Sequence, residues 1–311
     1  MIPSDGQRLY LHEVAPRDGL QIEPLFIPTE KKIALIDRLS MTGLAKIEVT
    51  SFVSPKAIPA LADAEDVMRR IRRVDGVTYA ALVPNVRGCH RALACGVDEL
   101  NLVMSVSASH SHANLRMTPE QSLAVFEDIV KVTTGTGVRI NASLSTAFGC
   151  PFEGEVSPTV VLNLVDRLEQ MGIDSVSLCD TTGMANPRQA RDLCATVLAR
   201  HGGIELTAHF HDTRGMGLAN ALAALDAGVV RFDASLGGLG GCPFAPGASG
   251  NVCMEDLVHM LAAMGFDTGV DLDRLLGIAG DLPALVEHAV PGLVVRSGKS
   301  DRRYPLPEAI G

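Results

Sequence analysis

Two histidines separated by one residue give the strongest chemical signal in the sequence. His209 and His211 fall in a run that is typical of a β-strand, so their side chains point to the same face. Two neutral imidazoles and a carboxylate oxygen suit a divalent cation, and Asp18, which follows the first strand-like run, offers that oxygen. We therefore interpret Asp18, His209 and His211 as ligands of one metal ion.

Arg17, which precedes Asp18, carries a planar fork of donors that stays charged at physiological pH. We interpret it as a group that stabilises an oxyanion. The alternative is a structural ion pair with a buried carboxylate, either Glu48 or Asp180. Glu48 lies in an otherwise apolar run, where a carboxylate requires a partner, and Arg17 is the partner that we expect.

A glycine-rich stretch at 237–251 carries Cys242. So many glycines predict a mobile flap or a backbone that cradles an anion, rather than a packed segment. A cysteine in such a flap, close to a cation and histidines, is expected to exchange protons with the substrate.

The seven cysteines are odd in number and include no C-x-x-C pair, which indicates neither a disulfide framework nor a zinc site. Cys150 and Cys179 flank the predicted site, and their role stays open. We expect four others to be buried and inert, namely Cys89, Cys95, Cys194 and Cys253.

A second pair of histidines, His110 and His112, lies in the polar stretch 107–114. This stretch is predicted as a solvated loop. We expect its histidines to be surface or lid residues without a metal role.

Strand-like runs alternate with amphipathic helices along the chain. Eight runs predict strands, at 9–14, 44–50, 77–83, 99–105, 138–145, 174–178, 204–211 and 229–235. Helices are predicted at 29–41, 60–73, 86–95, from 118 onward, and at 157–171, 187–199, 215–227 and 254–264. The helix after 118 has a clear start signal, because a capping threonine is followed by proline and, three residues on, by glutamine.

Eight such units in about 250 residues predict the α/β class and a (β/α)8 TIM barrel. An open doubly wound sheet alternates in the same way, but no G-x-G-x-x-G follows the first strand. We assign the barrel to 9–266, and a short C-terminal helical extension with a polar tail, packed on the barrel, to 267–311. Since reactive residues of such barrels lie at the C-terminal ends of the strands, the residues singled out above are expected to share one mouth.

Composition sets the outer limits of the function. Of 311 residues, 47% are hydrophobic, which excludes a largely disordered chain. No apolar run reaches the roughly 18–20 residues of a membrane-spanning helix. The formal net charge of −9, without a cluster of basic residues, argues against a nucleic-acid partner. We expect a cytoplasmic protein that neither spans nor binds a membrane.

Six motifs in order complete a known pattern. They are P-R-D-G-L-Q at 16–21, I-E-V-T-S-F-V-S-P-K at 47–56, F-G-C-P-F-E-G at 148–154, D-T-T-G at 180–183, H-F-H-D-T at 209–213 and G-A-S-G-N at 247–251. From about residue 9 to about residue 275 the chain resembles the hydroxymethylglutaryl-CoA lyase family of metal-dependent TIM-barrel lyases.

The resemblance implies Mg²⁺ or Mn²⁺ as cofactor, held by Asp18, His209, His211 and Asn251. It also implies that Arg17 stabilises an enolate, that Cys242 is the active-site thiol, and that His209 contributes to catalysis. The acidic residues Glu48 and Asp180 are then supports of the site. An acyl-CoA thioester as substrate, a homo-oligomer (a dimer in the family), and a place in leucine degradation and ketone-body formation are further implications.

The implied reaction splits 3-hydroxy-3-methylglutaryl-CoA into acetoacetate and acetyl-CoA, with His209 and Asp18 both open as the base. Ile22 stands where the family usually has Asn, the segment 105–116 lacks a common acidic residue, and no cysteine lies near the C-terminus. The first two departures leave citramalyl-CoA or a longer branched acyl-CoA open as substrate. Two rivals are a condensing enzyme that joins an acyl-CoA to a 2-oxo acid, and a catalytically silent binding or scaffold barrel.

Overall fold

The computed structural model describes residues 6–241 and 250–305, and it contains a closed barrel of eight parallel strands. Each strand pairs with the next along the chain, and β8 pairs with β1, which excludes the open doubly wound sheet. The strands are β1 (Tyr10–Glu13), β2 (Lys46–Ser51), β3 (Thr78–Leu82), β4 (Glu99–Ser105), β5 (Arg139–Ser145), β6 (Ser175–Asp180), β7 (Glu205–Phe210) and β8 (Arg231–Ala234). The predicted (β/α)8 barrel is therefore confirmed.

Eleven α-helices are present in the described residues, most of them between consecutive strands. They are α1 (Thr29–Ser40), α2 (Ala64–Arg70), α3 (Val86–Leu93), α4 (Ala108–Leu115), α5 (Pro119–Thr133), α6 (Pro158–Gln170), α7 (Pro187–Arg200), α8 (Gly217–Asp226), α9 (Met254–Ala263), α10 (Leu272–Val286) and α11 (Val294–Ser297). The predicted start of α5 is confirmed, because Thr118 and Gln121 form a reciprocal capping box in front of the helix.

The prediction of a solvated loop at 107–114 is wrong. Residues Ala108–Leu115 form α4, and Arg116, which caps its C-terminus, has a left-handed φ of 56°. His110 is 1% exposed rather than on the surface, and its Nδ1 lies 2.7 Å from Ser105 Oγ. The short helix carries small and polar residues with little apolar periodicity, so its helical conformation could not be predicted from periodicity. His112 is exposed, as predicted.

The inside of the barrel is unusually polar. Asn101 and Asn141 are both buried, and the Nδ2 of Asn141 donates to Oδ1 of Asn101 at 3.0 Å. Ser143 Oγ donates to the same oxygen at 2.8 Å, and Ser175 Oγ donates to Asn141 Oδ1 at 2.9 Å. Buried polar groups persist when each finds a partner. This network therefore fixes the side chains below the mouth.

The C-terminal part of the described chain packs beside the loop that follows β8. At Gly237 φ is 64°, and a Cβ there would lie 2.7 Å from Leu282 in α10 and 3.1 Å from Val290. The amide of Gly292 donates to the Gly237 carbonyl at 3.3 Å. The division of the chain at residue 266 stays a prediction. None of the described helices is long and apolar enough to cross a membrane.

Candidate active site

Three residues that could hold a metal ion converge at the C-terminal end of the barrel. One potential ligand atom each of Asp18, His209 and His211 lies within 4.8 Å of the other two. Asp18 belongs to a π-helical turn, Ala15–Gly19, that follows β1. His209 lies in β7 and His211 just after it, and the two imidazole centroids are 5.3 Å apart. The predicted grouping of these three residues is thus confirmed as a geometry.

Asn251 completes the cluster, although it is 40 residues beyond His211 in the chain. It forms an isolated antiparallel bridge with His211, which places its side chain beside Asp18. Asn251 Nδ2 donates to Asp18 Oδ2 at 2.8 Å and to the Leu239 carbonyl at 2.9 Å. The other amide atom, Oδ1, is buried and has no hydrogen-bond partner among the described residues.

This donor set fits a divalent cation. His211 Nδ1 is also buried without a hydrogen-bond partner in the described chain. Burial, followed by the neighbouring His209, lowers the pKa of His211 to about 3, so the imidazole is neutral and keeps a lone pair. Burial opposes ionisation of Asp18, but the Arg17 guanidinium holds the pKa of that carboxyl below its ordinary value. A carboxylate, neutral imidazoles and an unpaired amide oxygen are ligands of such ions.

Arg17 joins the predicted metal cluster to Glu48. Its Nε donates to Glu48 Oε2 at 2.7 Å, and Nη2 lies 2.6 Å from the same oxygen. Its Nη1 donates to Asp18 Oδ1 at 2.5 Å. Burial alone would lower the pKa of Arg17, but the two carboxylates raise it above its ordinary value, so the guanidinium is permanently charged. The expected partnership of Arg17 with Glu48 is confirmed.

Glu48 is itself held by the polar interior of the barrel. Its Oε1 accepts a hydrogen bond from Asn101 Nδ2 at 2.7 Å. The pairing of β2 with β3 shifts register between Glu48 and Thr50, a local irregularity of the kind that re-aims side chains near active sites. The network below the mouth therefore orients Arg17 through one carboxylate.

Asp180 does not pair with Arg17 in the described structure, contrary to one of the alternatives considered from the sequence. Its Oδ1 accepts from the amides of Met184 and Ala185, at 2.7 and 3.1 Å, and so closes the turn after β6. Its Oδ2 is buried and lacks a hydrogen-bond partner among the described residues. Burial, opposed by those two amides, raises the pKa of Asp180 to about 6.

Two residues at the site were missed by sequence reasoning. Asp233 in β8 lies between His12 and His209, with Oδ1 3.0 Å from His12 Nδ1 and Oδ2 3.2 Å from His209 Nδ1. Glu48 was singled out because it is a carboxylate within a strand-like run. Asp233 is likewise a carboxylate within the strand-like run 229–235, so the same signal could have identified it. His12 could be connected to the site only through strand register.

A cavity of about 990 Å³ opens above these residues. Its wall includes Arg17, Asp18, His209, His211 and Asp233, and its rim includes Ile22 and Phe26, which are 45% and 52% exposed. Further lining residues come from the segments after β2, β3 and β4, among them Ala57, Asn85, His110, Met117 and Phe126. His110, expected on the surface, is therefore a wall residue.

The cysteines divide as follows. Cys242 lies outside the described residues. Cys179 lines the cavity, where burial raises the pKa of its thiol well above the ordinary value. Cys150 is buried, and its sulfur accepts a hydrogen bond from Ser107 Oγ at 2.9 Å. The expectation of burial is confirmed for Cys89, Cys95, Cys194 and Cys253.

A family model, related sequences and solved structures all match this chain over most of its length. The HMGL-like family model matches residues 8–281. Hydroxymethylglutaryl-CoA lyase YngG of Bacillus subtilis is 48% identical over 273 residues, which cover 88% of this chain and 91% of that protein. The mitochondrial hydroxymethylglutaryl-CoA lyase of Rattus norvegicus is 43% identical over 275 residues, covering 88% of this chain and 84% of that one.

A solved structure extends the comparison to the fold. An HMG-CoA lyase from Acinetobacter baumannii, in complex with coenzyme A and 3-methylmalate, superposes with a TM-score of 0.92 at 50% sequence identity. The alignment covers 96% of this chain and 98% of that one. At this identity and coverage the likeness concerns the family as well as the barrel.

Proposed function

Because this chain belongs to the HMGL-like family, we propose that it is a divalent-metal-dependent carbon–carbon lyase that splits 3-hydroxy-3-methylglutaryl-CoA into acetoacetate and acetyl-CoA. The observation that carries the proposal is the cluster of Asp18, His209, His211 and the unpaired amide oxygen of Asn251, beside Arg17 in the wall of one cavity. Named relatives with 43–48% identity are lyases of this kind.

The proposed cofactor is Mg²⁺ or Mn²⁺, held by Asp18, His209, His211 and Asn251. When bound, such an ion supplies a Lewis acid that lowers the free energy of an alkoxide. His209 and Asp18 are the two candidates for the base that takes the proton from the tertiary hydroxyl of the substrate. Both lie in the cluster. His209 could take the proton only through a ring nitrogen that neither ligates the ion nor already carries a proton, so Asp18 is the base whenever Nδ1 of His209 donates to Asp233 and Nε2 binds the ion.

Arg17 is the proposed oxyanion group. When the bond between C2 and C3 breaks, its electron pair moves onto the thioester oxygen, and a guanidinium with free N–H groups stabilises that charge. Three of the five N–H groups of Arg17 serve the two carboxylates, which leaves two for a ligand. The new methyl carbon of acetyl-CoA then takes up one proton, so the hydroxyl proton that was lost is balanced. Cys242 is the proposed donor of that proton, on the strength of the family resemblance.

Coenzyme A esters are the proposed substrate class. A cavity of about 990 Å³ is large for a small acid alone, and the Acinetobacter baumannii relative was solved with coenzyme A and 3-methylmalate. Ile22, exposed at the rim, stands at one of the positions that depart from the family pattern. Citramalyl-CoA and longer branched 3-hydroxyacyl-CoA esters are therefore the alternative substrates.

Three further features complete the proposal. We propose a homodimer, a cytoplasmic location, and a role in leucine degradation and ketone-body formation. Relatives include both mitochondrial and cytoplasmic lyases. We also propose that 267–311 is an extension of the barrel at 9–266 rather than a second domain.

The decisive experiment offers a panel of carboxylated 3-hydroxyacyl-CoA esters to the purified protein and ranks them by kcat/KM for release of acetyl-CoA. We expect activity with Mg²⁺ or Mn²⁺, none in EDTA, and a strong loss in Arg17→Gln. The matched control is Arg139→Gln, which removes an arginine from a half-exposed ion pair at the N-terminal end of β5. Full activity in EDTA would overturn the metal-dependent mechanism. Condensation of acetyl-CoA with a 2-oxo acid, without cleavage of any ester in the panel, would favour the synthase rival.

A further inference from the structure

Three side chains form a continuous line across neighbouring strands inside the barrel. His12 in β1 is in register with Asp233 in β8, and Asp233 is in register with His209 in β7. Each oxygen of Asp233 lies near the Nδ1 of one imidazole, at 3.0 Å for His12 and 3.2 Å for His209. The side chains of His12 and His209 are 5% and 9% exposed and that of Asp233 is 13% exposed. The line is thus largely shielded from water.

The positions of the protons on His12, Asp233 and His209 follow from which of these groups can donate a hydrogen bond. An ionised carboxylate only accepts hydrogen bonds, so both Nδ1 atoms must carry a proton. Both oxygens of Asp233 face an imidazole Nδ1, so the carboxylate has one ring donor for each oxygen. Burial, and then the Lys46 ammonium, lower the pKa of His12, so His12 is a neutral donor. A neutral His209 that donates through Nδ1 keeps its lone pair on Nε2.

We propose that Asp233 is a positioning residue, which fixes His209 in the Nδ1–H tautomer and so directs Nε2 toward Asp18 and His211, while His12 holds the second oxygen of Asp233 in place. The inference rests on the proposed metal site, because Nε2 must be unprotonated to serve as a ligand. It assigns a function to two residues, His12 and Asp233, that stand outside the motifs of the family resemblance. Carboxylates that accept from the outer nitrogen of a ligating histidine fix its ring and its tautomer.

His12 matters because it restricts the rotation of the carboxylate. With one oxygen accepting from His12, the other oxygen stays within reach of His209 Nδ1. Without His12, Asp233 retains its charge and its bond to His209 but loses one anchor. We therefore expect His12 to contribute less than Asp233 to the affinity for the ion.

The first test reads the tautomer directly in the metal-free wild-type protein. Long-range ¹⁵N–¹H spectra of ¹⁵N-histidine-labelled protein report which ring nitrogen is protonated. The His209 signals are assigned by their loss in His209→Gln, and the pH is raised until the ¹⁵N shifts stop changing. We expect a protonated Nδ1 and a lone pair on Nε2. A neutral His209 protonated on Nε2 would overturn the inference, and this result does not depend on any variant of Asp233 folding.

The second test measures binding of Mn²⁺ by the electron paramagnetic resonance of the free ion. In Asp233→Asn we expect the Kd for Mn²⁺ to rise tenfold to a hundredfold, as is typical for partners of metal ligands. In His12→Phe, which alters the same layer of the barrel, we expect a rise of less than about threefold, since Asp233 still accepts from His209. Asp166→Asn is the matched control for charge, because Asp166 faces Arg200 and His201 on the outside of the barrel. It should bind Mn²⁺ as the wild type does.

The outcomes separate this inference from the proposed function. A folded Asp233→Asn protein with wild-type Mn²⁺ affinity, or a His12→Phe protein that loses as much affinity as Asp233→Asn, would overturn the positioning role. A wild-type protein that binds no Mn²⁺ would refute the proposed metal site instead. The spectra of metal-free protein would then still decide the tautomer of His209.

Discussion

Replacing Glu48 by glutamine tests whether one buried carboxylate holds Arg17 in place. Oε2 of Glu48 accepts from two nitrogens of Arg17, and Oε1 accepts from Asn101. Glutamine has nearly the same shape but replaces one of these oxygens by an amide nitrogen. That nitrogen must point a donor either at the guanidinium or at Nδ2 of Asn101, and neither can accept it, while Oδ1 of Asn101 already accepts from Asn141 and Ser143.

The size of the effect follows from burial. The side chains of Arg17 and Glu48 are 10% and 4% exposed, and removal of one partner from a buried pair destabilises a protein by about 3–5 kcal/mol. Arg17 keeps Asp18 as a partner, and burial raises the pKa of Glu48 against the attraction of Arg17, so ionisation of Glu48 is itself unfavourable. Both points favour the lower end of this range. We expect the free energy of unfolding to fall by about 3 kcal/mol, or the Tm by roughly 5 °C for a chain of this size.

The same change should weaken metal binding. Without Glu48 the guanidinium has Asp18 as its remaining carboxylate, and Asp18 is a proposed ligand. We expect the Kd for Mn²⁺ to rise about tenfold and kcat/KM to fall at least as far. The assay is urea unfolding of the metal-free protein, followed by Mn²⁺ titration and turnover of the same preparation.

Glu99→Gln provides the matched control. It also breaks a buried ion pair, with Lys46, but at the N-terminal end of the barrel. It should lower stability and leave Mn²⁺ binding near the wild-type value. If Glu48→Gln loses less than about 1 kcal/mol, the value of an exposed pair, and binds Mn²⁺ normally, Asp18 alone suffices to fix Arg17 and the reasoning is wrong.

Three further predictions concern Gly237 in the loop after β8, the pH dependence of stability, and stabilisation by Mn²⁺. Gly237→Ala should lose about 1–3 kcal/mol in urea unfolding, because φ is 64° and the added Cβ would lie 2.7 Å from Leu282. Burial, against three backbone amides, raises the pKa of Glu13 from 4.5 to about 8. Glu13 therefore ionises at a lower pH in the unfolded chain than in the folded protein. The free energy of unfolding should fall by a few kcal/mol as the pH rises from about 4.5 to about 8, and Glu13→Gln should flatten this dependence on pH. Mn²⁺ at about 100 times its Kd should stabilise the wild type by about 2.7 kcal/mol, and should not stabilise His211→Ala.

Each of these predictions has a clear contrary result. An unchanged midpoint for Gly237→Ala would mean that α10 can withdraw from the loop without loss of free energy. A Glu13→Gln protein that keeps the wild-type slope between pH 5 and pH 8 would place the titration elsewhere. An equal thermal shift of His211→Ala and wild type with Mn²⁺ would show that the ion binds outside the described cluster.

The fold could be predicted because the sequence repeats one physical pattern eight times. Apolar strand runs and amphipathic helices alternate at lengths that suit parallel pairing, and the capping box at Thr118 marks one helix start almost to the residue. The mouth could be predicted because Asp18, His209 and Asp180 all follow or end strand runs. In a closed barrel such positions meet whatever their distance in sequence.

The rest depended on contacts that spacing does not encode. Asn251 reaches the site because the chain returns and bridges to His211 after a long glycine-rich stretch. His12 and Asp233 belong to the site through register across three strands, and a shift of one residue would turn each side chain to the other face. His110 was misplaced because α4 is too short and too polar to show a helical period.

Charge balance supports the proposal of a cation at this mouth. Asp18, Glu48 and Asp233 are three largely buried carboxylates, and Arg17 is the guanidinium that contacts the first two. Like charges that are shielded from water repel strongly, and the neutral imidazole of His211 offsets none of them. The cluster therefore carries an excess of two negative charges before His209 is counted. In the proposed site a divalent cation would offset that excess and would hold His209 in its neutral form, with the Nδ1 proton directed at Asp233.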